Sequence, residues 1–371
     1  MKKIICLLTA LSLAAASLTA CTENEPAAGN DKKAGITARD LMETDTSSEV
    51  RSDSEPEPSN SQADASSSSS VPEPSSSEAD TSSAAEPQNN YEGATPAMWE
   101  VTDDKGHTMT LCGSMHALAE NDYPLPEPLL ERFDAADMLE VECNINSEES
   151  AKLSMSILSD VYYKDGDTVK DHISQEAWDA LEAYFADAGL DINIYEKMKP
   201  WALDSIVEEL YTRDTDVKSE LGLDSYLIDK AEEAGKQVTE AESVEFQLDL
   251  LLGFSDEIYD FLFRCYDGYT IEQAHEELYA LHDAWRIGDM SALEDQTYVV
   301  EGLSEEDKAI FEEYNRLMLY DRNKGMEESI KEHLEKGDNV FFLVGAAHYA
   351  GDKGIISLLE NDGYKVERIN Y

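Results

Sequence analysis

The sequence predicts an α/β fold, with α+β as the alternative, in which both ends of the folded region build one sheet around a large helical insertion. Short apolar runs typical of buried strands lie near the two ends, at residues 109–112 and 340–344. Between about 147 and 336, apolar residues recur at intervals of three and four, as expected for helices that bury one face. The chain then ends in a β-α-β pattern.

Local patterns place the individual elements along the chain. Apolar and β-branched runs predict the strands, three- and four-residue apolar spacing predicts the helices, and Pro200 followed by Trp201 predicts a helix start with an anchoring aromatic side chain. In chain order the predicted elements are a hairpin of 98–101 and 108–112, a helix near 127–135, a strand over 138–143, the helical stretch with one short strand within 235–242, a strand over 340–344, a helix over about 354–361 and a strand over 363–369.

The N-terminus, residues 1–20, has the pattern of a lipoprotein signal peptide. Two lysines follow Met1, a short apolar stretch rich in Leu and Ala comes next, and Leu18-Thr19-Ala20-Cys21 resembles a bacterial lipobox. The apolar stretch is too short to span a bilayer. We therefore expect cleavage before Cys21 and lipid attachment to its thiol, which would anchor the protein to the cell membrane on the extracytoplasmic face.

Residues 21–92 are predicted to be a disordered tether, and residues 93–371 one large folded domain. The tether segment is rich in Ser, Pro, Glu and Asp, and it contains no aromatic residue from Thr22 to Asn90. Such a composition buries too little apolar area to offset the loss of chain entropy. The rest of the chain is long enough to enclose a substantial core.

The charge of the predicted domain excludes some classes of partner. Residues 93–371 contain 64 acidic and 22 basic residues, which gives a net charge of 22 − 64 = −42. A surface of this sign repels nucleic acid and anionic lipid headgroups, so we expect no nucleic-acid partner. The expected partners are the membrane, through the lipid on Cys21, and an extracellular peptide.

Two Gly-x-x-His motifs mark the candidate site. Gly113 to His116 and Gly345 to His348 each follow one of the apolar runs near the ends of the folded region. A Gly at a strand end lets the backbone turn sharply, so each His is expected on a loop beyond the strand. Ligands of open α/β sheets bind at the carboxyl ends of strands, and the two motifs are therefore predicted to form two halves of one site.

A pair of carboxylates is predicted to lie beside these histidines. Glu140 and Glu142 alternate with apolar residues in the strand predicted over 138–143, so both side chains belong to one face. A carboxylate near the end of an apolar strand is costly unless it is solvated, paired or bound to a metal. Glu142 is nearer the strand end, and two imidazoles with one carboxylate form a common ligand set for a divalent transition metal.

Several ordered blocks of the sequence resemble the TraB/PrgY/GumN family, which includes the Tiki metalloproteases. The similarity extends from about Ala97 to the C-terminus. Its blocks here are Leu111-Cys112-Gly113-Ser114-Met115-His116, Ala136-Asp137-Met138-Leu139-Glu140-Val141-Glu142, Gly222-Leu223-Asp224, Gly235-Lys236-Gln237-Val238 with Glu242 and Gln247, Asp321-Arg322-Asn323, Gly345-Ala346-Ala347-His348-Tyr349-Ala350-Gly351, and Gly363-Tyr364-Lys365-Val366. The resemblance implies a metal-dependent peptidase that uses a divalent ion of the manganese, cobalt or zinc type.

The resemblance also implies which residues carry the function. The motif glycines are Gly113, Gly345 and Gly351, and the family's two histidines correspond to His116 and His348. The acidic residue of the second block corresponds to Glu142. Glu242 corresponds to a family Glu that is usually flanked by Leu and Thr, whereas Ala241 and Ser243 flank it here. Arg322 matches the Arg-Asn pair that precedes the last motif.

These residues suggest a hydrolytic mechanism with several roles left open. His116 and His348 would ligate the ion, and Glu142 would be either a third ligand or the base that accepts a proton from water. Arg322 would stabilise an oxyanion or hold a substrate carboxylate, or else form an ion pair with a nearby acid. Glu242 would be a second acid or a group that orients a His.

A non-catalytic function is the alternative to the peptidase. The protein would then bind and sequester a peptide signal or haem, with His116 and His348 serving an iron cofactor in the haem case. The presence of both histidines together with Glu142 favours catalysis, because a protein that only binds has no need of that carboxylate.

Overall fold

A six-stranded mixed sheet forms the centre of the protein, as described by a computed structural model for residues 93–164, 166–298 and 302–371. The predicted signal peptide, Cys21 and the predicted tether lie outside these residues. The strands are β1 (Met98–Thr102), β2 (Thr108–Ser114), β3 (Met138–Val141), β4 (Gln237–Glu240), β5 (Val340–Gly345) and β6 (Lys365–Ile369). Their order across the sheet is β4-β3-β5-β2-β1-β6.

The prediction that both chain ends build one sheet is confirmed. C-terminal β5 lies between β2 and β3 of the N-terminal part and is parallel to both. β1 is antiparallel to β2 on one side and to β6 on the other. The short strand predicted inside the helical insertion is present as β4, which pairs in parallel with β3 and extends the same sheet. Four neighbouring strands therefore point their carboxyl ends to one edge.

Helices make up most of the described residues and cover both faces of the sheet. They are α1 (Glu127–Ala135), α2 (Glu148–Ile157), α3 (Gln175–Asp187), α4 (Pro200–Thr212), α5 (Leu223–Ala234), α6 (Val244–Leu252), α7 (Asp256–Arg264), α8 (Ile271–Arg286), α9 (Met290–Tyr298), α10 (Glu305–Asn315), α11 (Asp321–Lys336) and α12 (Ile355–Asn361). The predicted helix start at Pro200 is confirmed. Within the described ranges, no helix has the length and apolar character that crossing a bilayer requires.

The side chains of β5 alternate between two hydrophobic cores, which defines the layers. Phe341 and Leu343 join the larger core, which also contains α1 and most of the helical insertion. Phe342 and Val344 join the smaller core, where α11 and α12 pack. This period of two is what a strand buried on both faces produces.

The hydrogen-bond pattern of a long helical segment changes immediately before α11. α10 continues through a five-residue π-helical segment, Arg316–Tyr320, into α11 without leaving helical geometry. A π-helical turn changes the rotation of all later side chains about the helix axis, and such turns are frequent at functional sites. Here the change falls directly before Arg322 and Asn323.

Candidate functional site

The two Gly-x-x-His motifs lie side by side at the carboxyl edge of the sheet. Ser114 is paired with Gly345, and Gly113 is paired with Val344, in the parallel ladder of β2 and β5. A Cβ atom on Gly113 would approach the Cβ of Ala346 to 3.0 Å, so the first motif's glycine allows the second motif to pack against it. Both histidines therefore leave the sheet from adjacent strand ends.

His348 has one ring nitrogen fixed by a hydrogen bond and the other left without one. Its Nδ1 lies 2.6 Å from Oδ1 of Asn323, whose Nδ2 donates to the Lys353 carbonyl at 2.9 Å. Since Oδ1 can only accept, Nδ1 of His348 carries the proton and Nε2 presents a lone pair. That Nε2 is buried and has no hydrogen-bond partner among the residues described.

Electrostatics keep the His348 imidazole neutral. Burial, followed by the positive charge of Arg322, lowers the pKa of His348 to about 3. Its Nε2 lies 3.7 Å from Oε2 of Glu142, and at neutral pH this approach is not an ion pair, because the ring is uncharged. A neutral imidazole with a buried lone pair is the form of His that binds metal ions.

His116 is oriented by a carboxylate from the start of α5. Its Nδ1 lies 2.8 Å from Oδ2 of Asp224, and the same oxygen accepts a hydrogen bond from Oγ of Ser114 at 2.6 Å. A His that donates Nδ1–H to a carboxylate is a recurring arrangement around metal-binding histidines, because it fixes the tautomer and directs Nε2 outward.

Gly222 explains how α5 comes this close to the first motif. The Leu223 amide donates to the Met115 carbonyl at 3.1 Å, which joins the start of α5 to the motif loop. A Cβ on Gly222 would lie only 2.3 Å from the carbonyl oxygen of His116. Each polar or small residue of the Gly-Leu-Asp block therefore has a structural role. Gly222 lets α5 pack against the backbone of His116, and Asp224 binds the His116 ring.

Glu142 is buried and accepts hydrogen bonds through both oxygens. Oε1 accepts from Nε2 of Gln247 at 3.0 Å and from Nη2 of Arg322, while Oε2 accepts from the Gly345 amide at 3.1 Å. Burial alone would raise the pKa of Glu142, but the charge of Arg322, helped by both histidines and the Gly345 amide, lowers it to about 2. The carboxylate is therefore held in its ionised form.

Arg322 joins the two carboxylates that were predicted for the site. Its Nε and Nη2 donate to Glu242, with Nη2 2.8 Å from Oε2, and Nη2 also donates to Glu142. Nη1 donates to the Met318 carbonyl at 2.9 Å. Gln247 bridges the same two carboxylates by donating to Glu142 and, at 2.9 Å, to Glu242. The guanidinium is buried and its groups face the protein interior.

The structure brings most of the predicted site residues together. Glu142, Glu242 and Arg322 are in direct contact, and His348 adjoins Glu142. His116 belongs to the same electrostatic environment, because its charge acts on the pKa of both Glu142 and His348. Gly345 donates to Glu142, Gly113 packs against the second motif, and Gly351 has a φ of 74° in the loop that follows His348.

Glu140 shares the face of Glu142 but belongs to another cluster. Its oxygens accept from Oγ of Ser329 at 2.5 Å and from Oγ1 of Thr239 at 3.1 Å, and they lie 2.5 Å from Nε2 of His333. Ser329 and His333 are on α11, which also supplies Arg322 to Glu142. The predicted common face of the two glutamates is confirmed, and only the residue nearer the strand end reaches the histidines.

Three supporting residues had no role in the sequence-based prediction, although they stand in the family blocks. Asp224 and Asn323 fix the two histidines, and Gln247 ties Glu142 to Glu242. Asn323 and Asp224 belong to the sequence blocks that resemble the family. The local sequence does not indicate which side chain either residue contacts.

The described residues contain no group of three or more His, Cys, Asp or Glu side chains already gathered around one point as for a metal ion. Within the predicted site, Nε2 of His348 lies 3.7 Å from Oε2 of Glu142.

Comparisons with known proteins found two similar curated sequences and one family model. In a search of curated proteins, the chain is 23% identical over 146 residues to "Uncharacterized protein YbaP" of Escherichia coli (strain K12) and, to the same degree, to the protein of that name from Shigella flexneri. Each match covers 39% of this chain and 52% of the relative, so the chain spans about half the length of the curated relatives it matches. No solved structure matches.

A family model matches much more of the chain than these pairwise similarities do. The match runs over residues 97–368, from just before β1 into β6, and it includes both Gly-x-x-His motifs and the residues that hold them. Because that match covers well over half of the sequence, the chain belongs to the TraB/PrgY/gumN family.

Proposed function

We propose that this protein is a metal-dependent peptidase, anchored to the membrane through Cys21 and acting on the extracytoplasmic side. The observation that carries the proposal is the state of His348. Its imidazole is neutral and buried, its Nδ1 is fixed by Asn323, and its Nε2 lies without a hydrogen-bond partner among the described residues, beside the Glu142 carboxylate. A buried lone pair left in this way is costly unless something binds to it.

The residues fit a divalent ion in chemical type. His348 Nε2 and Glu142 Oε2 supply a nitrogen and an oxygen, and His116, with its Nδ1 on Asp224, would supply the second nitrogen. Two imidazoles and a carboxylate suit manganese, cobalt or zinc. A bound ion of this kind would supply the Lewis acidity that activates water toward a peptide carbonyl.

The surrounding side chains act by holding these three groups in place. Asn323 and Asp224 fix the tautomers of His348 and His116, so that Nε2 of each ring carries the lone pair. Arg322 and Gln247 restrain Glu142 and keep it ionised. Because Arg322 is buried among Glu142, Glu242 and a backbone carbonyl, we assign it to positioning these carboxylates, with Glu242 balancing its charge.

The ligand role suits Glu142 better than the role of base. Oε1 is engaged by Gln247 and Arg322, which leaves Oε2, already bonded to the Gly345 amide, as the oxygen that faces His348. The 3.7 Å separation of this oxygen from His348 Nε2 supports the ligand role. The two roles predict different metal contents for the same variant, so one experiment separates them.

Peptide cleavage by the purified full chain tests the proposal, with Mn²⁺, Co²⁺ and Zn²⁺ supplied separately and a library of internally quenched peptides as substrate. We expect cleavage that EDTA abolishes and that Glu142→Gln lowers by about 100-fold or more. Metal content should fall in this variant if Glu142 is a ligand and stay unchanged if it is a base. Glu140→Gln is the matched control, because it removes a buried carboxylate from the same face and should leave turnover intact.

Two results would contradict the peptidase. One is the absence of cleavage with all three ions, and the other is cleavage that persists in Glu142→Gln at the wild-type rate. Stoichiometric peptide binding that survives EDTA and both His→Ala substitutions, without cleavage, would instead support a protein that sequesters peptides.

A further inference from the structure

Helix α4 carries two buried carboxylates that belong to no part of the site described above. Nearly every residue of this helix is buried, and Asp204 and Glu208 are only 4% and 6% exposed. Residues four apart are neighbours on one face of a helix, so the two carboxylates lie together. Buried acids are normally paired or hydrogen-bonded, and an isolated one is expensive.

Neither carboxylate has such a partner. Among the described residues no hydrogen bond and no Lys, Arg or His ion pair reaches Asp204 or Glu208. Burial raises the pKa of Asp204 to about 7, and burial together with the negative charge of Asp204 raises that of Glu208 well above its usual value. Burial is the largest cause of both shifts.

A third polar group on the same helix is also unsatisfied. Trp201 precedes Asp204 by three residues and Glu208 by seven, the spacing of one helical face. Its indole Nε1 is buried and has no hydrogen-bond partner in the described part of the chain. An N–H donor requires an acceptor, and a buried acid requires a donor whenever it is ionised. A peptide that carries a cationic group offers both, since its carbonyls accept and its ammonium or guanidinium group donates.

A series of neighbouring residues links this face of α4 to Glu142. Asp204 and Glu208 act on the pKa of Tyr259, whose hydroxyl donates to the Leu251 carbonyl at 2.7 Å. Leu251 lies four residues, about 6 Å, beyond Gln247 on α6, and Gln247 contacts Glu142. Tyr259, Leu251 and Gln247 therefore connect the carboxylate pair to Glu142.

We infer that the face of α4 formed by Trp201, Asp204 and Glu208 is a subsite for a cationic group of the peptide substrate, either a Lys or Arg side chain or a free α-amino group. The inference rests on the proposed function, which it deepens by naming the substrate class. The domain's net charge of −42 supports it, because a strongly acidic protein concentrates cationic peptides around itself. The indole ring adds a favourable surface for an organic cation.

Peptide binding to the full chain in EDTA tests the inference without requiring metal or turnover. The probes are fluorescein-labelled Ala-Ala-Lys-Ala-Ala with both termini blocked, its norleucine counterpart, and the norleucine peptide with a free α-amino group. We expect one of the two cationic probes to bind at least about ten-fold more tightly than the blocked norleucine peptide. Which one does so identifies the source of the cation.

The double variant D204N/E208Q should reduce that preference to less than about two-fold. Its control is E232Q/E233Q, which removes the same number of acidic residues from the exposed surface of α5 and should keep the preference. Equal binding of all three probes to the wild type would overturn the inference, as would a preference that the control loses and the double variant retains.

The test gives an answer even if the double variant does not fold or the protein has no peptidase activity. If the double variant does not fold, as judged by its unfolding transition, the comparison of probes on the wild type and on Glu208→Gln alone still decides the matter. Because the assay excludes metal, a cationic preference without peptidase activity would refute the proposed reaction and leave the subsite standing. Metal-dependent cleavage that ignores peptide charge would do the reverse.

Discussion

At the scale of single residues, the Arg322 guanidinium controls the charge balance of the site. It is buried between Glu142 and Glu242 and also donates to a backbone carbonyl, so its planar fork satisfies three acceptors at once. Removing one partner of a buried ion pair leaves an uncompensated charge, which costs far more than the pair itself contributes. Here a substitution of Arg322 would leave the carboxylates of both Glu142 and Glu242 without their cation.

We therefore predict that Arg322→Met lowers the free energy of unfolding by about 3–5 kcal/mol, measured by urea denaturation of the full chain. Arg132→Met is the control, because Arg132 forms a half-exposed ion pair with Glu100 and its loss should cost less than about 1 kcal/mol. Equal effects of the two substitutions would show that the buried network does not hold the fold together at this point.

The residues that bear the site's chemistry were easier to predict from the sequence than the residues that support them. His116 and His348 stand out because each follows a Gly after an apolar run, and Glu142 stands out as a charge near the end of a strand. Asp224 and Asn323 reach the histidines only through the way α5 and α11 pack onto the sheet, and single-sequence patterns do not encode such contacts between distant elements.

At the scale of elements, the start of α5 is packed directly against the first motif. A Cβ on Gly222 would lie 2.3 Å from the His116 carbonyl oxygen, too close for any real contact. We predict that Gly222→Ala displaces α5 together with Asp224, which lowers both the unfolding free energy and metal affinity. Urea denaturation and metal titration measure the two effects.

Gly325→Ala is the matched control for this element. Gly325 is in the middle of α11, and a Cβ there would meet no atom within 4 Å. Alanine is the better helix former by about 0.5–1 kcal/mol, so this variant should be as stable as the wild type or slightly more so. If Gly222→Ala were as stable as Gly325→Ala and kept its metal affinity, the close packing of α5 against His116 would not be required.

Helix α4 should make stability depend on pH in a way that one substitution removes. The pKa of Asp204 is raised from 3.8 to about 7 on folding, so its contribution is fully present below about pH 4 and is lost as pH rises through 7. We predict that the unfolding free energy of the wild type falls between pH 5 and 8 by about 2–4 kcal/mol more than that of Asp204→Asn.

Urea denaturation across this range measures the difference, and Glu233→Gln, an exposed acid on α5, should follow the wild type. Glu142 does not interfere, because its pKa is lowered to about 2 and its contribution is lost only as pH falls below about 4.5. Parallel pH profiles for the wild type and Asp204→Asn would refute the buried ionisable pair.

The limits of helices and strands could be predicted from the sequence more completely than the contacts between them could. Both hairpin strands, α1, β4 and the β-α-β unit at the C-terminus are close to their predicted limits, because each has a strong local pattern. The strand predicted over 138–143 ends at Val141, where Glu142 turns its carboxylate toward Arg322. The π-helical segment before Arg322 was not predicted, since its sequence has ordinary helical spacing.

At the scale of the whole molecule, the proposal places the domain outside the cell on a lipid anchor. The lipobox-like Leu18-Thr19-Ala20-Cys21 motivates this placement. We predict that Cys21→Ser moves the protein from the membrane fraction to the soluble fraction and abolishes labelling by a palmitate analogue. Ser17→Ala, a substitution outside that motif, is the control and should stay in the membrane fraction. Membrane association of Cys21→Ser equal to that of the wild type would place the anchor elsewhere.

Metal binding by the two histidines is tested most directly by the metal content of the full chain after incubation with Mn²⁺, Co²⁺ or Zn²⁺ and removal of free ion. We predict about one tightly bound ion per wild-type chain, and loss of most of it in both His116→Ala and His348→Ala, since each would remove a ligand. Variants that stay folded and bind as much metal as the wild type would contradict the account, and so would a wild-type chain that retains none of the three ions.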